Sequence, residues 1–337
     1  MPSNPGRTTL ATVAASAGVS VATVSKVLNG RSDVAPATRS LVQSLLLEQG
    51  YVPLSSRRDQ PQLTATVELG VDDLCAYSTE VIKGAVEAGA ELGVAVIVTY
   101  TKDMAGVGVS WARDLVAAGR RAMITLMSAP TSAQLVALSQ AHLPVVVIDP
   151  LNLPDTGVTS VGATNFAGGL SATQHLLDLG HRRIAYLGGP ATSTTNQARM
   201  HGYRAAMEAA GVPVPPEYVR TPGFCYPSGI EEGAVLLDLH PAPTAIFAAG
   251  DESAMGAIQA ARARGLRIPE DLSVVGFDDT EIATMTSPQL TTVRQPLREM
   301  GAVALRTALR LAAGEKIEFN HIELATKLVV RGSTLAA

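Results

Sequence analysis

The run TTLATVAASAGVSVATVSKVLNG, from Thr8 to Gly30, constrains the fold of this chain more than any other stretch. It reads as two short helices hinged at Ala17-Gly18-Val19. Thr8 or Thr9 is placed to cap the first helix, and Leu10, Val13 and Ala14 space as one apolar stripe. Gly18 supplies the positive φ that a sharp turn between helices requires. Ser20 stands where the N-cap of the second helix belongs. Val21, Val24, Val27 and Leu28 recur at helical spacing and are expected to face inward. That leaves Ala22, Thr23, Ser25, Lys26 and Asn29 to face outward. A helix with an apolar back and a small, polar, singly basic front fits a DNA major groove. The same pattern also describes a plain helical hairpin packed on its neighbours.

The continuation narrows the choice. Pro36 opens a third helix with Val42, Leu45 and Leu46 as its apolar stripe, closed by Gly50-Tyr51-Val52-Pro53. The motifs run in order: V-A-x-x-A-G-V-S at Val13 to Ser20, T-V-S-[RK]-V-L-N at Thr23 to Asn29, V-x-x-x-T-R at Val34 to Arg39, and G-Y-x-P at Gly50 to Pro53. This combination resembles the amino-terminal headpiece of the LacI/GalR family of transcriptional repressors. The resemblance implies an all-α helix-turn-helix headpiece followed by an α/β bilobal, periplasmic-binding-protein-like core. It also implies base reading by Val21, Ala22 and Lys26, with Ser20, Thr23, Ser25 and Asn29 fixing the helix to phosphates and sugars.

Charge is distributed accordingly. The chain carries a formal −4, which is unfavourable for a DNA binder taken whole. Residues 1–60 hold six basic residues against three acidic ones, so the rest of the chain carries an excess of seven negative charges. A basic head on an acidic body keeps phosphate attraction local. With 337 residues, two or three domains are expected; 47% hydrophobic but only 4% aromatic content makes Ala, Val and Leu the core material. No secretory signal or membrane-spanning run is read from the sequence, so a cytoplasmic protein is expected. Cys75 and Cys225 are expected to be free thiols, with a redox latch as the alternative. No cofactor and no metal is expected, because no Cys/His cluster has ligand spacing.

The headpiece is expected over residues 1–53 and a linker over 54–64, where SSRRDQPQ is polar and carries Pro61. Family members commonly place a hinge helix with a minor-groove Leu there; no Leu aligns cleanly. Either Leu54 or Leu63 substitutes, or the DNA is bent less. Arg57 and Arg58 are expected to enter a minor groove or meet phosphates. From residue 65 onward, near-continuous apolar strands alternate with amphipathic helices, which indicates parallel sheets covered on both faces. Two such rounds in succession give two doubly wound lobes. The first lobe is expected over about 65–157 plus 295–318, and the second over about 158–294 plus 319–331.

In doubly wound sheets, ligands bind beyond the carboxyl ends of strands. Asp72, Asp149 and Asp278 follow apolar strands, and a carboxylate there accepts two hydroxyl hydrogen bonds at once. An Asp after a strand is also readable as a turn former or a helix cap; Asp73 and Asp279 are assigned mostly to those roles, and Asp251 to a cap or lip residue. Tyr77, Tyr100, Phe166 and Phe224 offer flat faces near strand ends. The segments ARMHGY with Arg199 and SVVGFDD with Asp278 resemble the family's effector-pocket motifs, and Asn165, Phe224 and Gln295 follow the same pattern. Where several sugar-responsive members have Asn-Asp, this chain has Gly250-Asp251, which implies a wider pocket and a ligand larger than, or different from, a simple monosaccharide.

An enzyme is disfavoured. Gly168-Gly169 and Gly188-Gly189 match neither a P-loop nor a dinucleotide fingerprint, and G-x-S-x-G is absent. The expected partners are a near-palindromic double-stranded DNA operator, a small carbohydrate effector and a second copy of the chain, without a membrane. No heptad tail follows VVRGSTLAA, so no tetramerisation helix is expected. The alternative function is a cytoplasmic sugar- or nucleobase-binding protein without a transcriptional role.

Overall fold

A computed structural model describes residues 9–28, 31, 33–49, 51, 65–101, 110–150 and 157–337. It divides into two compact units, Met1–Gln62 and Leu63–Ala337. Asn29, Arg57, Arg58 and the expected linker 54–64 lie outside the described residues.

The first unit holds helices α1 (Leu10–Ala17), α2 (Val21–Leu28) and α3 (Pro36–Glu48). Thr9 caps α1 by accepting the Thr12 N–H at 3.3 Å. Gly18, at φ 64°, turns the chain so that α1 and α2 cross at 106°. Ser20 Oγ then accepts the Thr23 N–H at 3.1 Å, which satisfies an orphan donor at the start of α2. Val13, Ala14, Val24, Val27, Val42 and Leu46 form the core. Val21 corrects the sequence reading: it is 46% exposed rather than turned inward. Val24, Val27 and the half-buried Leu28 cover the core, and the first turn of α2 projects past it.

The second unit contains two six-stranded sheets. Its elements, in order, are β1 (Ala65–Val71), α4 (Ala76–Leu92), β2 (Val94–Tyr100), α5 (Ser110–Ala117), β3 (Arg120–Leu126), α6 (Ser132–Gln140), β4 (Val145–Ile148) and β5 (Thr159–Ala163). Then come α7 (Asn165–Asp178), β6 (Ile184–Leu187), α8 (Thr194–Ala209), β7 (Val219–Arg220), α9 (Tyr226–Leu237), β8 (Ala245–Ala248), α10 (Asp251–Ala263) and β9 (Ser273–Asp278). The chain finishes with α11 (Glu281–Met285), β10 (Thr291–Arg294), α12 (Leu297–Ala312), β11 (His321–Leu324) and β12 (Lys327–Val329). The first sheet runs β11-β5-β4-β3-β1-β2 and is parallel throughout. The second runs β12-β10-β9-β8-β6-β7 and is parallel except for β12.

The lobe boundaries differ from those read in the sequence. β5 pairs with β4, and β11 pairs with β5, so residues 159–163 and 321–324 complete the first sheet. A buried strand's composition records that both faces are covered but not which sheet covers them. The chain therefore passes between lobes at residues 163–165, 294–297 and 324–327. Two of these crossings are tied together: the Thr164 N–H donates to Leu324 O at 2.9 Å, and the Thr164 and Thr326 hydroxyls bond at 2.9 Å.

In the second lobe, α7 and α8 pack backbone to backbone. A Cβ on Gly169 would sit 2.2 Å from Arg199 O, and one on Gly202 would sit 2.2 Å from Phe166 O. The two glycines thus fix the position of α8 and of the side chains it carries. Among the described residues no single helix is long and apolar enough to cross a membrane.

Candidate functional site

A cavity of about 210 Å³ lies between the lobes at the carboxyl ends of the strands. The first lobe contributes Asp73, Cys75, Ala76, Tyr77, Met127 and Asp149; the second contributes Thr195, Arg199, Phe224, Cys225, Asp251, Glu252, Asp278 and Thr280. Met127, Asp149 and Asp278 each leave a strand with positive φ, at 66°, 44° and 108°. Non-glycine residues persist there only when their surroundings enforce it, and such residues concentrate at ligand sites.

Arg199, on α8, is the centre of the polar network. Its Nε donates to Asn165 Oδ1 at 2.8 Å and its Nη1 to Ala249 O at 2.6 Å. Its guanidinium carbon stands 3.8 Å from the centroid of the Phe277 ring, and Nη1 is 3.9 Å from Asp278 Oδ1. Asn165 is held in turn, because its Nδ2 donates to Ala163 O at 3.0 Å. Across the cleft the Tyr77 hydroxyl donates to Asp149 Oδ2 at 2.7 Å. Burial raises the Asp149 carboxyl above its ordinary range, opposed by Arg199 and by the Tyr77 hydrogen bond. Burial also pushes Asp278 up to about 7, with Arg199 and the Gln295 hydrogen bond opposing it. Asp251 is likewise raised well above the ordinary carboxylate range, by burial and by the neighbouring Asp278. Its oxygens accept from Thr280 N at 2.8 Å and Thr292 Oγ1 at 2.6 Å, so it fastens the loop after β9 to β10.

The lobes also touch directly. Glu252 Oε1 accepts the Ala76 N–H at 3.1 Å, placing a carboxylate on the amino terminus of α4. Thr194 Oγ1 donates to Pro150 O at 2.5 Å, and Lys83 Nζ lies 3.4 Å from Glu281 Oε1.

Five of the residues singled out in the sequence line this cavity: Tyr77, Asp149, Arg199, Phe224 and Asp278. Two others support it from behind, Asn165 through Arg199 and Gln295 through a 2.7 Å hydrogen bond to Asp278 Oδ1. Asp72 is turned away to the neighbouring loops, accepting from Thr101 Oγ1 at 2.6 Å and from Ser128 Oγ. Tyr100 ends the edge strand β2 and is exposed. Phe166 is exposed beside the crossing at 163–165 and lines a neighbouring cavity that shares Asp149 and Thr195 with this one. Asp73, assigned to a turn or cap, and Asp251, assigned to a cap or lip, are both at the wall. Met127, Thr195, Glu252 and Thr280 were missed, since nothing in their residue types marks a strand end or helix start that faces a ligand. Cys75 and Cys225 are free and line the cavity from opposite lobes.

On the headpiece, Val21, Ala22 and Lys26 are exposed on α2, while Thr23 and Ser25 are half-buried. The Ser20 and Thr23 hydroxyls bond each other at 2.9 Å. Lys26 Nζ pairs with Asp33 at 2.7 Å, with both side chains about half exposed.

Residues 9–54 match the model of bacterial regulatory proteins of the lacI family, and residues 173–334 match a periplasmic binding protein-like domain. The chain is 36% identical to the HTH-type transcriptional regulator DegA of Bacillus subtilis (strain 168), over 97% of this chain and 98% of DegA. It is equally 36% identical to the HTH-type transcriptional regulator CelR of Thermobifida fusca, over 97% and 98% of the two chains. A solved CelR–cellobiose complex superposes with a TM-score of 0.73 at 34% identity, covering 97% of this chain and all of that one (100%). The Lac repressor dimer bound to operator and the anti-inducer ONPF superposes with a TM-score of 0.70 at 27% identity, covering 98% and 100%.

Proposed function

The chain belongs to the LacI family of bacterial regulatory proteins, and on that premise we propose that it is a homodimeric repressor whose grip on a near-palindromic operator is set by a sugar held between its lobes. It is a DNA-binding transcriptional regulator and not an enzyme, as its relatives are. It acts where the chromosome lies, in the cytoplasm.

The observation that carries the effector half is the Arg199–Asp278–Asp149 constellation in a cavity walled by both lobes. A guanidinium and two carboxylates beside the Tyr77 and Phe224 rings offer donors, acceptors and flat faces to a polyol at once. Asn165 and Gln295 are positioning residues behind it. CelR binds cellobiose, and a LacI-family regulator from Enterococcus faecium binds ribose, which supports a sugar here. A ligand bridging both walls favours one angle between the lobes by its differential affinity for the two arrangements. β1 follows the linker directly, so rotation of the first lobe is carried toward the headpiece.

On the DNA side, Val21 and Ala22 meet thymine methyls and Lys26 donates to guanine, exchanging its Asp33 partner for the base. Ser20, Thr23, Ser25 and Asn29 hold phosphates and sugars, and Arg57 and Arg58 add contacts from the linker. Self-association is supported by the edge strand β2, which exposes Ile97, Val98 and Tyr100, beside α4 with exposed Val86 and Leu92. The test is a thermal-shift screen with glucose, ribose, cellobiose and nucleobases, followed by gel shift of the purified protein on genomic fragments at two salt concentrations. A sugar that stabilises the protein and changes a salt-sensitive, fragment-specific shift is expected. Stabilisation by nucleobases alone would overturn the sugar assignment.

A further inference from the structure

We propose that the cavity accepts an uncharged or cationic sugar and rejects sugar phosphates and sugar acids, with Asp73 and Glu252 imposing the choice. The inference rests on the carbohydrate reading of this site and deepens it.

Five carboxyl side chains line the cavity, against one guanidinium. Arg199 is already committed: it donates to Asn165 and to Ala249 O, and it neighbours Asp278 at 3.9 Å. It therefore balances a carboxylate of the protein and leaves no net positive charge for a phosphate. Asp149 and Asp251 are held by hydroxyl and amide donors, not by cations. Asp278 has one oxygen on Gln295, and its Oδ2 lies 3.7 Å from the point where a Cβ on Gly250 would sit. Gly250 is extended there, with φ −165°, so any residue fits its backbone, yet it carries no side chain. Room for about one methyl group is therefore left between the Asp278 carboxyl, Ser253 and the Phe224 ring. That gap calls for a hydrogen-bond donor on the ligand, a hydroxyl or an ammonium.

Asp73 and Glu252 complete the argument from opposite lobes. Asp73 is exposed and Glu252 half-buried, with one Glu252 oxygen on the Ala76 N–H, so both carboxylates stand at the cavity wall without a cation paired to them among the described residues. Lys83 and Arg298, the cations near the start of α4, pair with Glu80 and are not among the cavity residues. A phosphate entering the cleft meets the like charge of Asp73 and Glu252, and behind them carboxyls whose oxygens already accept from Tyr77, Thr280, Thr292 and Gln295. A protonated amine meets the opposite.

The full-length protein is titrated calorimetrically with matched sugars: glucose, glucosamine, glucose 6-phosphate and glucuronate, and cellobiose beside cellobiose 6-phosphate. For whichever skeleton binds, the anionic member is expected to bind at least tenfold more weakly than the neutral one, and the amine at least as tightly. In the double variant Asp73→Asn, Glu252→Gln, the ratio of anionic to neutral dissociation constants is expected to narrow at least threefold. A general loss of structure would weaken both sugars and leave that ratio unmoved. An anionic sugar binding as tightly as its neutral counterpart, or a ratio unchanged in the double variant, overturns the charge selection. If no skeleton binds in any charge state, the carbohydrate reading itself falls and this inference falls with it.

Discussion

Replacing Gly169 by Ala tests how the second lobe positions its arginine. The new Cβ would lie 2.2 Å from Arg199 O, whereas real Cβ contacts essentially never close below 3.0 Å. The obstacle is backbone, so no rotamer change relieves it, and α7 and α8 must part by most of an ångström. Overpacking of this kind costs about 3 kcal/mol at the upper end. Ala is better than Gly in a helix interior by ~1 kcal/mol, which offsets part of that cost. A net loss of about 2 kcal/mol follows, which lowers the melting temperature of a unit this large by about 4–8 °C. Thermal unfolding followed by far-UV circular dichroism measures it, with Gly250→Ala as the control. There the nearest atom to the new Cβ is 3.6 Å away and no drop is expected. Because the displaced carbonyl belongs to Arg199, sugar binding should weaken in Gly169→Ala as well. A variant as stable as the parent, or more so, would mean that helix propensity outweighs the contact, and the packing argument would be wrong.

Lys26→Ala should cost about 1–3 kcal/mol on the preferred operator and relax the preference at one base pair, measured by fluorescence anisotropy on single-substitution duplexes; an equal loss on every sequence refutes base reading. Ser20→Ala removes the cap on Thr23 N–H and should lower headpiece stability by about 1 kcal/mol in urea unfolding. Asp278 sits at about 7, against ~3.9 for an ordinary Asp, because burial outweighs Arg199. The folded chain then holds a proton that the unfolded chain releases between about pH 4 and 7, so this group's contribution to stability falls as pH rises through that window. A sugar hydroxyl donating to the ionised carboxylate reverses the preference. Calorimetric affinity should therefore rise as pH increases toward 7 and level off above it, and a flat profile would exclude Asp278 as an acceptor.

Local signals were legible in the sequence where one residue type has one physical use. Thr9, Gly18 and Ser20 mark caps and a turn, and the structure uses each that way. The central apolar strands stood out because both of their faces are covered. Lobe membership was not legible: β5 and β11 belong to the first sheet through backbone pairing, which leaves no trace in composition. Val21 misled because helical spacing predicts a stripe but not where the partner surface ends. The cavity was half legible. Arg199, Asp149 and Asp278 sit in recognisable segments, but Asp72 and Asp73 are adjacent and diverge, one turned to Thr101 and the other to the cavity. Glu252 and Thr195 lie in the first turns of α10 and α8, and only the approach of the opposite lobe makes them part of a site.

The central claim is that the cavity and the headpiece share one equilibrium. The direct test is anisotropy on an operator selected from random duplexes, titrated with and without the sugar that stabilises the protein most, for the parent and for Arg199→Ala. A coupled regulator should change its operator affinity at least about fivefold with the sugar, and Arg199→Ala should bind operator but lose the change. A bound sugar that leaves operator affinity unaltered would contradict the claim.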